Sequence, residues 1–403
     1  MKKQYLALSI AFTFLFQANA QKILFDNTHA ETAGNADWVI DADAHNLGIG
    51  SSGIYIGGSN SNAQRIPTPA QSGITSTTTE SYWEGGISAW GVECVKTGYT
   101  VESLPWGTAI TYGTTATQDL KNYDVYVVDE PNTVFTASEK TAILNFVKNG
   151  GGIYMVSDHT GSDRNGDGWD SQSIWNDLMR NNTVHANPFG LYLDSLSFSG
   201  SYFVSNIPGD SIVNGPYGNV SSVKWSSGTS MTLNPTANST VKGVVYKSGG
   251  SGNNGVLLAY GRYGTGKFVV MGDSSPTDDA SGDPGDQLYD GWITDANGNH
   301  RKMIMNATIW LATKTQTSHV GIDDISTEQI VSIVPNPAKE TLHIKSPEAC
   351  TYTMVDLSGR VVLSGSSSAD ESTTIQIADI QAGMYLVKLS GKTLSRTTKI
   401  IKE

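Results

Sequence analysis

The sequence has few charged residues, and its shortage of positive charge excludes two classes of partner. Charged residues make up 16% of the 403 residues, and 38 acidic against 26 basic residues give a formal net charge of −12. Nucleic acids and anionic membrane surfaces are bound through clusters of Lys and Arg, and the sequence contains no such cluster. We therefore expect neither a nucleic acid nor an anionic membrane face as a partner.

The sequence has only two cysteines, which excludes a fold built on many disulfide bonds. Cys94 and Cys350 lie in different predicted domains, so we do not expect a bond between them. The prediction is two free, buried thiols.

Long apolar runs are also missing, which excludes a transmembrane helix. The first apolar run, from Tyr5 to Phe16, is too short to span a bilayer. It follows two lysines and leads to Ala18-Asn19-Ala20, the pattern at which a signal peptidase cuts. Residues 1–20 are therefore predicted to be a signal peptide, with Gln21 as the first residue of an exported protein that has no membrane span.

The C-terminal segment, residues 331–403, consists of short runs in which apolar residues alternate with polar ones. Pro-Asn-Pro, Ser-Gly and Ala-Gly turns separate these runs. This pattern is typical of a small antiparallel β-sandwich. A polar stretch, residues 315–330, is the predicted linker to the preceding domain.

This segment closely resembles the type A sorting domain of the type IX secretion system, a module of Bacteroidetes-type bacteria. The residues that carry the resemblance are Pro335-Asn336-Pro337, Asp356-Leu357-Ser358-Gly359-Arg360, Gly383-Met384-Tyr385 and Lys399-Ile400-Ile401-Lys402. The resemblance implies export across the outer membrane by the type IX secretion machinery, removal of the domain, and release or attachment at the cell surface. A generic β-module that binds a ligand is the alternative interpretation.

Residues 21–314 alternate between apolar strand patterns and helix patterns, which indicates an α/β domain with a parallel sheet covered on both faces. A helix between the third and fourth strands is predicted to begin at a capping box formed by Thr136 and Glu139 and to stop at Asn149-Gly150. Strands are expected at residues 22–26, 99–105, 123–131, 151–158 and 267–275, with a β-rich excursion at residues 191–248.

This order of elements resembles the flavodoxin-like, class I glutamine-amidotransferase-like group, which includes trehalose-utilisation-type and intraflagellar-transport-type domains. The resemblance rests on the strand pattern and on the hairpin at residues 263–274. It implies a flavodoxin-like parallel sheet with a β-rich insertion, followed by the small β-sandwich. The chain departs from the group at the nucleophile, since it has no cysteine after the fourth strand and Ser157 lacks the flanking glycines of a G-x-S-x-G elbow. Glutaminase and serine esterase activities are therefore not expected.

Acidic side chains follow several of the predicted parallel strands. Ligands bind at the carboxyl ends of the strands in an open parallel sheet, and crowded carboxyl groups acquire the raised pKa values that general acid catalysis needs. The alternative is that Asp and Ser end strands by capping the next helix. The predicted catalytic residues are Asp26, Glu130, Asp158 and His159, and the predicted substrate-binding residues at the same edge are Asp273 and Ser274.

A second group of substrate-binding residues is predicted at Tyr82, Trp83 and Glu84. The flat apolar face of a tryptophan binds sugar rings by stacking. Burial in a helix core is the alternative, and it is favoured for Trp90. Two acidic stretches, residues 26–46 and 278–286, are further candidates to line the site. The second is expected either to form a loop that closes over the site or simply to face solvent.

The loop after the fourth strand contains D-x-N-x-D-G, the first half of an EF-hand-type calcium loop. The twelfth position is Ile174 where a calcium loop has a bidentate Glu, so Asp170 or Asp177 would have to replace it. Calcium is the cofactor we expect, a solvated turn and a catalytic divalent metal are the alternatives, and no organic cofactor is evident. The predicted ligands are Asp163, Asn165, Asp167, Trp169 and Asp170.

These features lead to the hypothesis of a secreted hydrolase that acts on an extracellular polymer by carboxylate and histidine acid–base chemistry. A neutral polar composition and tryptophans in the loops suggest a polysaccharide or glycoconjugate as substrate. One rival is a metal-dependent phosphodiesterase or nuclease, which would use the same carboxylates as ligands. Another is a carbohydrate-binding protein without catalysis, because a fold does not determine chemistry.

The predicted export signals can be tested on the protein that cells release. We expect mass spectrometry of the medium or cell surface to find a species that begins near Gln21 and ends within residues 315–328. An intact C-terminus on correctly exported protein would contradict the interpretation of residues 331–403 as a sorting domain.

Overall fold

The computed structural model describes residues 21–29, 38–41, 68–282, 289–313, 332–346, 348–356, 359–369, 371–392 and 395–403. The chain divides into two compact units, Met1–Gln316 and Thr317–Glu403. The predicted signal peptide and the predicted linker at residues 315–330 lie outside the described residues. No helix in the described ranges is long and apolar enough to cross a bilayer.

The first unit is an α/β domain. Its helices are α1 (Ser88–Lys96), α2 (Ala137–Lys148), α3 (Ser171–Arg180) and α4 (Asn299–Ala312), with short 3₁₀ turns at Glu80–Tyr82, Leu120–Asn122 and Asp295–Gly298. Its strands are β1 (Lys22–Asp26), β2 (Thr100–Leu104), β3 (Val125–Val128), β4 (Gly152–Val156), β5 (Leu191–Leu193), β6 (Phe198–Phe203), β7 (Asn214–Gly215), β8 (Gly218–Asn219), β9 (Ser222–Gly228), β10 (Met231–Leu233), β11 (Lys242–Ser251), β12 (Asn254–Tyr263) and β13 (Gly266–Met271).

Nine strands of the described chain form one sheet in the order β2-β1-β3-β4-β13-β12-β10-β5, and β11 pairs with β12. The first five strands in this order are parallel, which gives the flavodoxin-like arrangement predicted from the sequence. β12, β10 and β5 add to the sheet in antiparallel fashion. Three strands of the β-rich excursion, β5, β10 and β11, therefore extend the sheet, and the other four form two separate small pairs, β6 with β9 and β7 with β8.

The parallel strands are buried because helices cover both faces of the sheet. All four residues of β3 and all five of β4 are buried. Alternate residues contact opposite layers: Val127 belongs to the core that includes α1 and α4, and Tyr126 to the core that includes α2 and α3. A residue's parity along its strand therefore decides which helical layer it contacts.

The predicted start of α2 is confirmed. The Thr136 hydroxyl accepts the Glu139 main-chain N–H at 3.3 Å, and the Glu139 carboxylate accepts the Thr136 main-chain N–H at 2.9 Å. This reciprocal pair satisfies two amides that the first turn of a helix leaves free.

The second unit is built from antiparallel strands around its own apolar core. In the described residues, a three-stranded sheet has the order β14-β15-β18 and a four-stranded sheet the order β17-β16-β19-β20. Cys350 lies in this core and Cys94 in that of the first unit, and both are free, as predicted. The strands are β14 (Ser332–Val334), β15 (Thr341–Lys345), β16 (Cys350–Asp356), β17 (Val361–Ser367), β18 (Ser372–Gln376), β19 (Gly383–Ser390) and β20 (Ser395–Lys402).

Candidate active site

Three aspartates lie on one face of the sheet, just beyond the carboxyl ends of β3, β4 and β13. Asp129 lies two residues after Val127, and Asp158 lies two residues after Val156. Both valines belong to the core that includes α1 and α4. Residues two apart along a strand point to the same face, so both carboxyl groups face that layer. Met271 pairs with Val156, and continuing this register by two residues sets Asp273 beside Asp158. All three carboxyl groups are buried, with exposures of 4% or less.

Glu130 joins this group because the backbone turns sharply at its position. Its φ of 41° lies in the left-handed region, which a residue with a side chain seldom adopts. The turn lets one carboxylate oxygen, Oε2, accept hydrogen bonds from the Ser274 hydroxyl at 2.8 Å and from the Trp38 indole N–H at 3.0 Å. Strained backbone held in this way is a frequent feature of functional sites.

Arg164 contacts two of these carboxyl groups. Its Nη2 lies 3.5 Å from Asp158 Oδ2, and its Nε lies 3.8 Å from Glu130 Oε1. The Arg164 main-chain N–H donates to the side-chain oxygen of Asn132 at 2.9 Å, which fixes the start of the loop that carries the arginine. One guanidinium therefore offsets part of the charge of two adjacent acids.

Burial raises the pKa values of the three buried aspartates. Burial raises the pKa of Asp158 well above its usual value, and the charges of Glu130 and Asp273 and a hydrogen bond with Glu130 raise it further. Burial likewise raises the pKa of Asp129 well above its usual value, although a hydrogen bond from Thr277 opposes the shift. Burial raises the pKa of Asp273 to about 7 against the opposing amide hydrogen bonds of Ser275 and Ser226.

His159 connects this buried group to solvent. Its ring Nδ1 lies 2.8 Å from the Thr160 carbonyl oxygen, and its Nε2 lies 3.6 Å from Asp158 Oδ2. A carbonyl oxygen can only accept, so Nδ1 carries a proton and Nε2 faces the carboxyl group. The side chain of His159 is 22% exposed against 5% for that of Asp158. The histidine is therefore the outer member of a contact that can pass a proton to a buried acid.

Asp26 belongs to a different cluster, on the opposite face of the sheet. Its Oδ1 accepts the Tyr126 hydroxyl at 2.6 Å, and its Oδ2 accepts the His29 main-chain N–H at 2.7 Å. His29 in turn reaches Glu139, with 3.3 Å between Nε2 and Oε2. The predicted convergence of Asp26 with Asp158 and Glu130 is not what these contacts show, because Asp26 follows Leu24 on the face that α2 and α3 cover.

The predicted group at Tyr82, Trp83 and Glu84 does not form an exposed stacking surface. Trp83 is fully buried, Tyr82 is half-buried and Glu84 is exposed. Trp83 packs so closely on α1 that a Cβ added at Gly91 would lie 3.2 Å from its ring. The interpretation of Trp83 as a stacking platform was wrong in this respect, since no flat face is open to a sugar ring.

Trp90 is a core residue, which was the alternative favoured from the sequence. Its ring meets those of Phe25 and Tyr154 edge to face, with centroids 5.4 Å and 4.9 Å apart.

The acidic residues Asp278 and Asp279 hold the loop after β13 in place through hydrogen bonds. Asp278 is 2% exposed and accepts the main-chain N–H groups of Ala280 and Tyr289, at 2.9 Å and 2.8 Å. Asp279 accepts the Ser88 hydroxyl and the Ala89 main-chain N–H at the start of α1, both at 2.6 Å. Neither side chain simply faces solvent. Residues 283–288 and 42–46 lie outside the described ranges.

The predicted calcium loop is an ordered turn whose side-chain oxygens bind main-chain amides. The Asp163 carboxylate accepts the N–H groups of Asp167 and Gly168 at 3.1 Å and 2.8 Å, and Asp167 accepts that of Trp169 at 2.9 Å. Asn165 donates to the Asn132 carbonyl oxygen at 2.6 Å.

The remaining positions of this loop serve the fold. Asp170 caps α3 through Ser173, and the Ile174 side chain at the twelfth position is fully buried. In the part of the chain that the structure describes, no three His, Cys, Asp or Glu side chains are grouped to hold a metal ion. Calcium binding stays a prediction.

Two residues of this site were not singled out in the sequence, and a third, Asp129, lies at the end of a predicted strand but was not among the predicted site residues. Arg164 is hidden inside the calcium-type motif, Trp38 lies in an acidic stretch, and Asp129 precedes the more conspicuous Glu130. Strand parity was a usable signal for Asp129, because it places that residue on the same face as Asp158 and Asp273.

Residues 332–403 match the secretion system C-terminal sorting domain family. This match agrees with the resemblance found in the sequence. The chain is exported by type IX secretion to the cell surface or the extracellular space. A comparison with curated protein sequences gave no match.

Solved structures resemble the chain only weakly. The N-terminal domain of mmIFT52 has 14% identity and a TM-score of 0.38, over 59% of this chain and 93% of that one. A protein from Parabacteroides merdae named as ThuA-like has 14% identity and a TM-score of 0.37, over 75% and 94%. A beta-galactosidase from Bacillus circulans sp. alkalophilus has 11% identity and a TM-score of 0.33, over 89% and 41%. Likenesses at this level carry no argument about function.

The raised pKa of Asp273 predicts how stability depends on pH. Its folded-state pKa of about 7 exceeds the ordinary value of 3.8, so the folded state binds this proton more tightly. The stabilisation is complete below about pH 4 and is lost as the pH rises through about 7. In urea unfolding, the stability difference between wild type and Asp273→Asn should therefore fall across this range, by up to about 1.4 kcal/mol per pH unit.

Asp210 is a control of opposite sign. Burial raises its pKa, but hydrogen bonds from Tyr260 and Lys242 outweigh burial, so the pKa is lowered. The stability difference between wild type and Asp210→Asn should shrink as the pH falls through the acidic range. A pH-independent difference for Asp273→Asn would mean that this carboxyl group titrates normally.

The loop motif predicts stabilisation by calcium. If the folded loop alone binds the ion, the melting temperature should rise with calcium concentration by mass action, and Asp167→Ala should abolish the rise. The measurement is thermal unfolding with calcium, with magnesium and with chelator. No shift at millimolar calcium would identify the loop as an ordinary turn.

Proposed function

We propose that the α/β domain is a secreted hydrolase that acts on an extracellular polysaccharide or glycoconjugate. The observation that carries the proposal is the contact of His159 with the Asp158–Glu130 carboxyl pair at the carboxyl edge of the sheet. Hydrolysis needs a group that gives a proton to the leaving oxygen and a group that takes one from water. A histidine at a solvent boundary, backed by a buried aspartate whose pKa is raised well above its usual value, supplies both.

In this proposal His159 meets the substrate, and the carboxyl pair acts through it. The Thr160 carbonyl oxygen holds the ring by Nδ1, so Nε2 is the atom that exchanges a proton. Asp158 faces Nε2, passes it the proton that Nε2 gives to the leaving oxygen, and takes back the proton that Nε2 then removes from water. Arg164 keeps the negative charge of the pair from accumulating, since it lies within 4 Å of both acids.

The net charge of the protein favours a neutral substrate. A polyanion such as a phosphodiester or a nucleic acid is repelled by a protein of net charge −12. Sugar hydroxyls carry no charge and can hydrogen-bond to carboxyl groups in either protonation state.

One observation favours a second candidate, a carbohydrate-binding protein without turnover. Glu130 is 0% exposed and Asp158 is 4% exposed, so neither acid reaches the surface directly. Two cavities of the described part, of about 350 Å³ beside Tyr202 and about 270 Å³ beside Trp292, are lined by other residues. A protein that only holds sugar would not need the proton path through His159.

The substitution His159→Ala separates the two candidates. Turnover is measured with and without chelator, as reducing ends released from a panel of neutral and acidic polysaccharides and glycoproteins and as product released from a panel of phosphodiesters. We expect turnover to fall about 100-fold or more, while the free energy of unfolding changes by about 0.5 kcal/mol or less because the side chain is partly exposed.

His185→Ala is the matched control, since His185 is an exposed histidine that packs beside Tyr263 with ring centroids 5.7 Å apart. It should leave turnover unchanged. Equal losses of turnover and stability in His159→Ala would make His159 structural. Turnover of phosphodiesters that chelator abolishes would favour the metal-dependent rival.

A further inference from the structure

Asn27 is a buried amide whose side chain has no hydrogen-bond partner. It directly follows β1 and is 1% exposed, and neither its Oδ1 nor its Nδ2 is paired in the described structure. Its main-chain N–H donates to the Leu104 carbonyl oxygen at 3.0 Å, which holds the residue in line with the sheet. Buried polar groups are nearly always paired, so an unpaired amide needs an explanation.

Asn27 lies beside the candidate active site. Phe25 pairs with Val127, and continuing this parallel register by two residues sets Asn27 next to Asp129. Phe25 and Val127 both contact the α1 and α4 core, so the two polar side chains share that face. This is the face on which Asp158 lies, and not the face of Asp26.

Two carboxylate oxygens near Asn27 are also without a hydrogen bond. Asp129 binds the Thr277 hydroxyl through Oδ2 at 2.7 Å, and its Oδ1 accepts no hydrogen bond. Glu130 Oε1 accepts no hydrogen bond either, although Arg164 Nε lies 3.8 Å from it. In the described structure, the buried atoms at this edge that make no hydrogen bond thus include one amide donor, one amide acceptor and two carboxyl oxygens.

We propose that Asn27, Asp129 and Glu130 bind adjacent hydroxyl groups of a neutral sugar, which makes Asn27 a specificity-determining residue. The inference rests on the proposed function for its substrate class. A hydroxyl group donates to the amide and carboxyl oxygens and accepts from the Asn27 amide N–H. An ammonium or guanidinium group cannot accept from that N–H, and a phosphate is repelled by the net negative charge of the protein. Only a ligand that both donates and accepts satisfies the whole set.

Asn176 shows what a structural amide looks like in this fold. Its Nδ2 donates to the Leu193 carbonyl oxygen and its Oδ1 accepts the Leu193 main-chain N–H, both at 2.9 Å. The side chain is buried like that of Asn27 but fully paired. Replacing the two amides by leucine of similar size therefore has opposite consequences for stability and binding.

The test measures binding in a His159→Ala background, where the ligand is not consumed. Calorimetry and thermal unfolding are run with neutral mono- and oligosaccharides, methylguanidinium and inorganic phosphate. A neutral sugar should raise the melting temperature, and Asn27→Leu should weaken its binding at least tenfold without lowering the melting temperature of the ligand-free protein. Asn176→Leu should lower that temperature and keep the affinity. Asn27→Ala, a second variant, should lose affinity as Asn27→Leu does.

The outcomes separate this inference from the proposed function. Sugar binding that depends on Asn27, in a protein without turnover, would support the site and refute the hydrolase. Equal sugar affinity in wild type and both Asn27 variants would overturn the site whatever the turnover. Failure of every neutral sugar to bind, or a larger shift with methylguanidinium or phosphate, would overturn it as well.

Discussion

The burial of carboxyl groups beside one another at one edge of the sheet is the constraint on which the candidate site depends. Parallel strands end together, and equal parity sends Asp129, Asp158 and Asp273 to one side. Removed from water, such groups cannot all be charged, so they keep protons that exposed aspartates would lose. Hydrogen bonds from Ser274 and Thr277 and the charge of Arg164 stabilise the negative charge that remains.

Buried carboxyl groups lie on both faces of the sheet at this edge, and the two faces stabilise them in different ways. On the α2 and α3 face, Asp26 and Glu139 are paired with His29 and with Tyr126. Burial there raises the pKa of Glu139, but His29 and the Thr136 hydrogen bonds lower it to about 2. On the other face Asp129, Asp158 and Asp273 have few positive partners, and their pKa values are raised. The first arrangement fixes a structure, whereas the second favours the protonated form of buried aspartates.

Much of the framework could be read from the sequence, because its signals are local. The apolar strands, the capping box at Thr136 and the turns of the sorting domain each depend on residues close together in the chain. The grouping of Asp158, Glu130 and Asp273 also followed from one rule, that parallel strands present their carboxyl ends together.

The remaining features depend on contacts between distant segments. Asp26 was predicted on the wrong face of the sheet. The rule for parallel strands says that ligands bind at the carboxyl edge of the sheet, but it does not say on which face a side chain lies. The face follows from the alternation of side chains along the strand. Trp83 is buried by α1, and the left-handed turn at Glu130 is held by Trp38 and Ser274. The lack of a hydrogen-bond partner for the Asn27 side chain can be recognised only in the structure, because it depends on which residues surround that side chain.

The central claim, that burial raises the pKa values of the three aspartates at this edge, is tested most directly by the carbon NMR signals of their carboxyl groups across a pH titration. Single Asp→Asn variants assign the signals of Asp129, Asp158 and Asp273. The account predicts that the Asp129 and Asp158 signals change well above the usual range for aspartate and that the Asp273 signal changes near pH 7. Titration of all three in the ordinary acidic range would contradict it.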